Sequence, residues 1–154
     1  MPTLAEVQDV FFRSGREGWA AGVKALQFPM SFLPGAKVIL WSDGPWQVAD
    51  AYLTNSLSSR SFGIMSISYD GHPQWTMSYG GEYAEEAIPI LKKALLAAYE
   101  NNLFYGGRGA LFYYRYYGEG ALLYENRPKR NEFSLFDGRE EIYDIETGGP
   151  AGLA

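Results

Sequence analysis

The chain has 154 residues and a mass of 17.2 kDa, which suits a single domain with its own hydrophobic core. Its formal net charge of −5 argues against a nucleic-acid partner, because such binding needs a cationic surface. The lack of cysteine excludes disulfides and thiolate metal sites. Since no secretory signal and no apolar stretch of roughly 20 residues is present, we expect a cytoplasmic protein without a membrane partner.

The first segment with a clear pattern is residues 3–14, whose apolar positions recur on one helical face. Thr3 and Glu6 have the spacing of a capping box, so we predict a helix that begins at this point. Glycine and proline interrupt the pattern from Gly15 to Gly44. This stretch is predicted to be an irregular connector with one extended piece, AKVILW.

Three strands are predicted next, at residues 46–53, 61–69 and 74–79, because polar and apolar residues alternate there. Asp70-Gly71 predicts a hairpin turn between the last two strands. The pair Gly80-Gly81 is expected to end this meander.

The second half repeats the same order of elements. A helix is predicted over the stretch EYAEEAIPILKKALLAAYENN, beginning close before Pro89. Strands are predicted at residues 110–117, at 121–125 or 131–136, and at 140–146. The stretch FDGR is expected to join the last two strands, and the tail GGPAGLA is expected to be frayed.

We interpret this recurrence as a tandem duplication. The predicted fold is α+β, with two tandem α-β-β-β units whose antiparallel sheets surround one core. Residues 1–154 then form a single domain, with the first repeat at about 3–81 and the second at about 82–149. The alternative is that Asp-Gly turns are common in hairpins and that the resemblance is generic.

The duplication aligns Asp50 with Arg115, so each repeat carries one charge on an otherwise apolar strand face. A charge in that position is costly unless it is solvated, paired or used. The two side chains therefore lie at solvated sheet edges, form an ion pair across a pseudo-two-fold axis, or line a ligand site between the repeats. The residues of that aromatic ligand site would be Trp46, Asp50, Tyr52, Trp75, Tyr79, Tyr113, Arg115 and Tyr117.

Residues with obvious catalytic chemistry are few. His72 is the single histidine and falls in a turn, so neither catalytic residues nor a metal or other cofactor is predicted. The GGRG stretch at residues 106–109 lacks the following helix that a phosphate loop needs. Four acidic residues could supply an acid/base pair or bind a hard metal ion, but we expect a solvated hairpin face; they are Glu140, Glu141, Asp144 and Glu146.

From about Val38 onward, the sequence resembles a bacterial domain family of unknown function. The resemblance rests on the stretches WQVADAYLTNS, FGIMSISYDGHPQWTMSYGG and EFSLFDGREEIYDIETGG, and on Asp50-x-Tyr52 in particular. Members of that family occur alone or behind a Cro/C1-type helix-turn-helix, which the given sequence does not contain. By analogy, the resemblance implies a sensor that binds a small effector.

The leading functional prediction is a non-enzymatic domain that binds a small-molecule effector between the repeats. The alternative is a protein-interaction or oligomerisation module, with a homodimer as one outcome, and a small carboxylate-dependent enzyme ranks third. A concave cavity would favour the ligand, whereas a flat apolar patch of several hundred Å² would favour the interface. The enzyme would need two acidic groups that converge in a cleft.

Overall fold

A computed structural model describes residues 1–27, 35–117 and 120–153, and for 114–117, 120, 152 and 153 it describes the backbone alone. Within this described part, the protein has an α+β fold with two α-helices and antiparallel sheet strands in a group of five and a group of four. The chain divides into two compact units, Met1–Gly80 and Gly81–Ala154. No helix in the described ranges is both long and apolar enough to span a bilayer.

The predicted first helix is confirmed as α1, Leu4–Arg16. Thr3 caps it, since the Glu6 N–H donates to the Thr3 hydroxyl over 3.3 Å. The Thr3 N–H in turn donates to the Glu6 carboxylate over 2.7 Å, which completes the capping box. The buried stripe of α1 contains Val7, Val10 and Phe11.

The sheet of the first unit follows the predicted meander and extends it on the N-terminal side. Its strands are β1 (Leu26–Gln27), β2 (Ala36–Asp43), β3 (Trp46–Thr54), β4 (Arg60–Tyr69) and β5 (His72–Tyr83), in the order β1-β2-β3-β4-β5. The AKVILW piece is β2. Asp70 and Gly71 both have positive φ, as the predicted two-residue turn requires.

One face of this sheet, which we call the inner face, packs against α1. The ring of Phe11 lies 5.4 Å from that of Trp75, and Val48, Met65 and Ile67 are buried. Because side chains alternate along a strand, Trp46, Asp50 and Tyr52 point to the same inner face as Val48. The remaining positions of β2, β3 and β4 form the outer face.

The second unit begins at the end of β5. A short 3₁₀ turn, Glu85–Ala87, leads into α2, Ile88–Glu100, and Pro89 lies in the first turn as predicted. Four strands follow: β6 (Phe112–Tyr117), β7 (Gly120–Glu132), β8 (Leu135–Asp144) and β9 (Pro150–Leu153), in the order β9-β8-β7-β6. The apolar face of α2 packs on β6 and β7.

The last hairpin differs from its prediction. Asp137 pairs with Arg130 inside the β7–β8 ladder, so the FDGR stretch is strand and the chain turns before Leu135. A bulge between Pro128 and Arg130 accommodates the proline, which cannot donate to a ladder. Gly138 serves close packing, because a Cβ there would lie 2.9 Å from the Cα of Pro128.

Two further expectations are wrong for the same reason, which is strand pairing over long sequence distances. Gly80 and Gly81 lie inside β5 and do not end the meander. The tail is not frayed, because Pro150–Leu153 forms β9 and pairs with β8 and with Glu82–Tyr83 of β5. The duplication and the single shared core stay predictions.

Candidate functional site

Asp50 has a hydrogen-bond partner within its own unit. The Tyr79 hydroxyl on β5 donates to Oδ1 of Asp50 on β3 over 2.5 Å, although β4 lies between these two strands. Gly63 makes this reach feasible, because a Cβ at that position would lie 2.4 Å from both Cζ and the hydroxyl oxygen of Tyr79. The carboxylate is therefore hydrogen-bonded by a tyrosine, which none of the three sequence interpretations foresaw.

Tyr52 completes what we call the Asp50 cluster: Asp50, Tyr52 and Tyr79. All three side chains are half-buried. Burial, and then the charge of the Asp50 carboxylate, raises the pKa of the Tyr52 hydroxyl above its ordinary value. The cluster thus combines one carboxyl group and two phenols, together with Lys37 directly across the ladder from Tyr52.

The two predicted tryptophans have different surroundings. The Trp46 ring is half-buried and meets the Tyr69 ring edge-on, with 4.9 Å between their centroids. The Trp75 side chain is only 8% exposed and packs against Phe11. Trp75 is therefore part of the core of the first unit.

The remaining predicted site residues lie on β6 of the second unit. Tyr113 is half-buried and pairs across the ladder with Tyr124. The backbones of Arg115 and Tyr117 pair with Leu122 and Gly120, but their side chains lie outside the described part of the structure. The predicted ligand site that draws on both repeats therefore stays a prediction.

The outer face of the first sheet carries mostly apolar or small side chains. The paired positions of β2, β3 and β4 place no ionisable side chain on it, and Arg60, the first residue of β4, lies at one end of this face beyond Phe62. Its residues are Ala36, Val38, Leu40, Ser42, Gln47, Ala49, Ala51, Leu53, Phe62, Ile64, Ser66 and Ser68.

Large apolar side chains on this face remain open to solvent. Leu40 is 58% exposed, Phe62 50% and Ile64 46%, and Leu26 of β1, which pairs with Val38, is 56% exposed. If a large side chain has about 200 Å² of surface, these four leave about 400 Å² of apolar area exposed. Antiparallel sheets usually present polar residues on the side away from the helix, so this outer face departs from the rule.

The sequence analysis missed a buried polar cluster in the second unit. Glu140 is 1% exposed. The Arg108 guanidinium donates to Oε1 of Glu140, with Nε at 2.9 Å, and the Tyr83 hydroxyl donates to the same oxygen. The Tyr124 hydroxyl donates to Oε2 over 2.6 Å. Glu140 is therefore not part of a solvated acidic face, although Glu146 is exposed as expected.

The electrostatics of this cluster favour the charged pair. Burial alone raises the pKa of the Glu140 carboxyl, but the Arg108 charge and the hydrogen bonds from Arg108, Tyr124 and Tyr83 outweigh it and hold that pKa below its ordinary value. Burial, and then the Glu140 charge, raises the pKa of the Tyr83 and Tyr124 hydroxyls. Glu140 is accordingly ionised and both tyrosines are neutral at pH 7.

The GGRG stretch presents Arg108 to this carboxylate. Gly106 and Gly107 have φ of 67° and 76°, a conformation that suits glycine, and they form the tight turn before Arg108. The Asn126 amide donates to the carbonyls of Tyr105 and Gly109, which fixes both ends of the turn. This loop therefore positions Arg108 for its ion pair with Glu140. In the described part of the chain, no helix begins directly after the loop, as a phosphate-binding loop would require.

Glu140 is not one of two acidic groups in an open cleft, as the enzyme alternative would require. Its two carboxylate oxygens accept hydrogen bonds from Arg108 and two tyrosines. Across the described residues, no group of three or more acidic or histidine side chains is arranged to hold a metal ion. Comparisons with protein-family models, curated proteins and solved structures returned no match.

Proposed function

We propose that this chain is a non-enzymatic protein-interaction module that docks its partner through the outer face of the first sheet. The observation that carries the proposal is the group of four large apolar side chains, each about half exposed, on a face whose paired positions along β2, β3 and β4 carry no charge. An open sheet surface of this kind suits the flat apolar interface better than an enclosing ligand pocket. The cytoplasmic location and the family resemblance stay predictions.

The energetics support the same choice. Covering about 400 Å² of apolar surface is worth about 10 kcal/mol before the costs of association are subtracted, at about 25 cal/mol per Å². The largest contiguous apolar patch of a typical monomer measures about 300–600 Å² and is often functional, and the outer face falls within this range. A partner that covers Leu40, Phe62 and Ile64 would remove this surface from water.

Position-specific photo-crosslinking in the native cell tests the proposal. A photoreactive amino acid replaces Leu40 on the outer face, and in a matched strain it replaces Leu57, which is 94% exposed in the β3–β4 turn. We expect a discrete adduct from position 40 and none from position 57, with the attachment mapped by mass spectrometry. Equal labelling from both positions, or no adduct from position 40, would contradict the proposal.

A small-molecule effector is the second candidate, and the Asp50 cluster is the observation that favours it. Asp50, Tyr52 and Tyr79 combine a carboxylate with two phenols at half-buried positions, a set that can accept and donate hydrogen bonds to a polar ligand. Native mass spectrometry of the purified protein tests it, with Asp50→Ala and Arg115→Ala alongside. A co-purifying mass that both variants lose would support this candidate, and its retention by both would reject it.

A further inference from the structure

The distribution of charged residues allows the outer face to contact the same face of a second copy. The chain has a formal net charge of −5, so two copies repel each other at long range. Contact through the paired positions of β2, β3 and β4 buries no ionised group, and Arg60 lies at the end of β4, at the margin of this surface. A self-contact through a charged face would place like charges opposite each other, or bury them, at a cost of several kcal/mol.

The order of large and small side chains on this face also suits contact with a second copy. Ala49 and Ala51 lie on β3 and form a shallow trough. Leu40 and Val38 border it on β2, and Ile64 borders it on β4. A two-fold axis would place the β4 ridge of each copy in the alanine trough of the other, since a C₂ interface uses the same patch twice.

We propose that the partner of the outer face is a second copy of this chain. The two first-unit sheets pack face to face about 10 Å apart, in the aligned manner of a two-sheet sandwich. This inference rests on the proposed function and names the partner for that surface. The serines and Gln47 at one end of the face form part of the polar rim of the interface.

The available area sets the strength of the dimer. With about 400 Å² of apolar surface from each copy, the interface buries about 800 Å² of apolar area in total, below the standard size of about 1,600 Å². Interfaces at this lower end belong to weak complexes. We therefore expect a monomer–dimer equilibrium with a dissociation constant on the order of tens of micromolar.

Sedimentation velocity of the full chain, from about 5 µM to about 500 µM, brackets that dissociation constant and tests the inference. Leu40→Glu places a carboxylate on the outer face, whereas Leu57→Glu makes the same chemical change in the β3–β4 turn. We expect the wild type and Leu57→Glu to dimerise alike, and Leu40→Glu to weaken the dimer by at least about tenfold, since two charges become buried. Ile64→Thr, which keeps a β-branched residue, is the second variant and is expected to weaken the dimer by about threefold to tenfold.

Several results would overturn the inference. One is a wild-type monomer over the whole concentration range, and another is a dimer that survives both outer-face variants while they remain folded by circular dichroism. A third is an equal loss of dimer in Leu57→Glu. If the protein is monomeric but position 40 still gives an adduct with another polypeptide in the cell, the self-partner is wrong and the proposed function stands. If that adduct is also absent, both are wrong.

Discussion

Replacing Glu140 by glutamine tests the buried cluster of the second unit. The change keeps the shape of the side chain but removes the charge that Arg108, which is only 19% exposed, neutralises. It also replaces one acceptor oxygen by an NH₂ group. That group would face hydrogen-bond donors, since Arg108, Tyr83 and Tyr124 all donate to the carboxylate. Breaking a buried pair by removing one partner costs about 3–5 kcal/mol, and the partial exposure of Arg108 places the expected loss near the lower end.

The assay is urea unfolding at pH 7 followed by intrinsic fluorescence, with Glu141→Gln as the matched control. Glu141 is the next residue along β8 and forms surface ion pairs with Arg127 and Arg139, so the same substitution should cost at most about 1 kcal/mol there. We expect a large fall in the unfolding midpoint for Glu140→Gln alone, with an unchanged m-value. Equal midpoints for the two variants would refute the reasoning.

The same cluster predicts a pH dependence with a definite sign. The folded-state pKa of Glu140 is below its ordinary value of 4.5, so its contribution is fully present above that value and is lost as the pH falls through the folded pKa. The stability gap between the wild type and Glu140→Gln should therefore be constant from about pH 6 to pH 9 and should shrink below about pH 4.5. A gap that widens in acid would contradict this assignment.

The first unit offers three further tests. Gly63→Ala should cost about 1–3 kcal/mol through its clash with Tyr79, and most of this loss should vanish in a Tyr79→Ala background; a fully additive pair would show that the contact is absent. Tyr79→Phe should cost about 1–2 kcal/mol through the lost hydrogen bond to Asp50, and unchanged thermal unfolding would argue against that bond. Thr3→Ala should cost about 1 kcal/mol by uncapping α1, whereas Thr3→Ser should stay near the wild type; equal melting of the two would reject the capping box with Glu6.

Elements with strong local signals were predictable from the sequence. The capping box at Thr3, the alternation along β3, and the Asp70-Gly71 turn depend on residues close together in the chain. Such signals act before tertiary contacts form, and the structure retains each of them.

Elements that depend on distant pairing were not predictable in the same way. Asp137-Gly138 has the composition of a hairpin turn, but its ladder partners on β7 hold it extended. The tail has little strand propensity and becomes β9 because the edges of β5 and β8 accept it. Tertiary context outweighs local preference at both places.

The two candidate sites also differ in whether the sequence carries a local signal for them. Glu140 meets Arg108 and Tyr83 across long stretches of chain, so no local spacing marks the cluster. The outer face did leave a signal: Phe62 and Ile64 on β4 are apolar, as are Met65 and Ile67 on the opposite face. A strand that is apolar on both faces predicts a second covered surface.

Methyl NMR of a dilution series tests the outer face at single-residue resolution. With the isoleucine and leucine methyls labelled, raising the protein concentration through the expected dissociation constant should shift the resonances of Leu40 and Ile64. Those of Leu57, in the β3–β4 turn, and of Leu95, on the buried face of α2, should stay in place. Concentration-independent spectra, or shifts at Leu57 with none at Leu40 and Ile64, would contradict the assignment of this face as the interface between two copies of the chain.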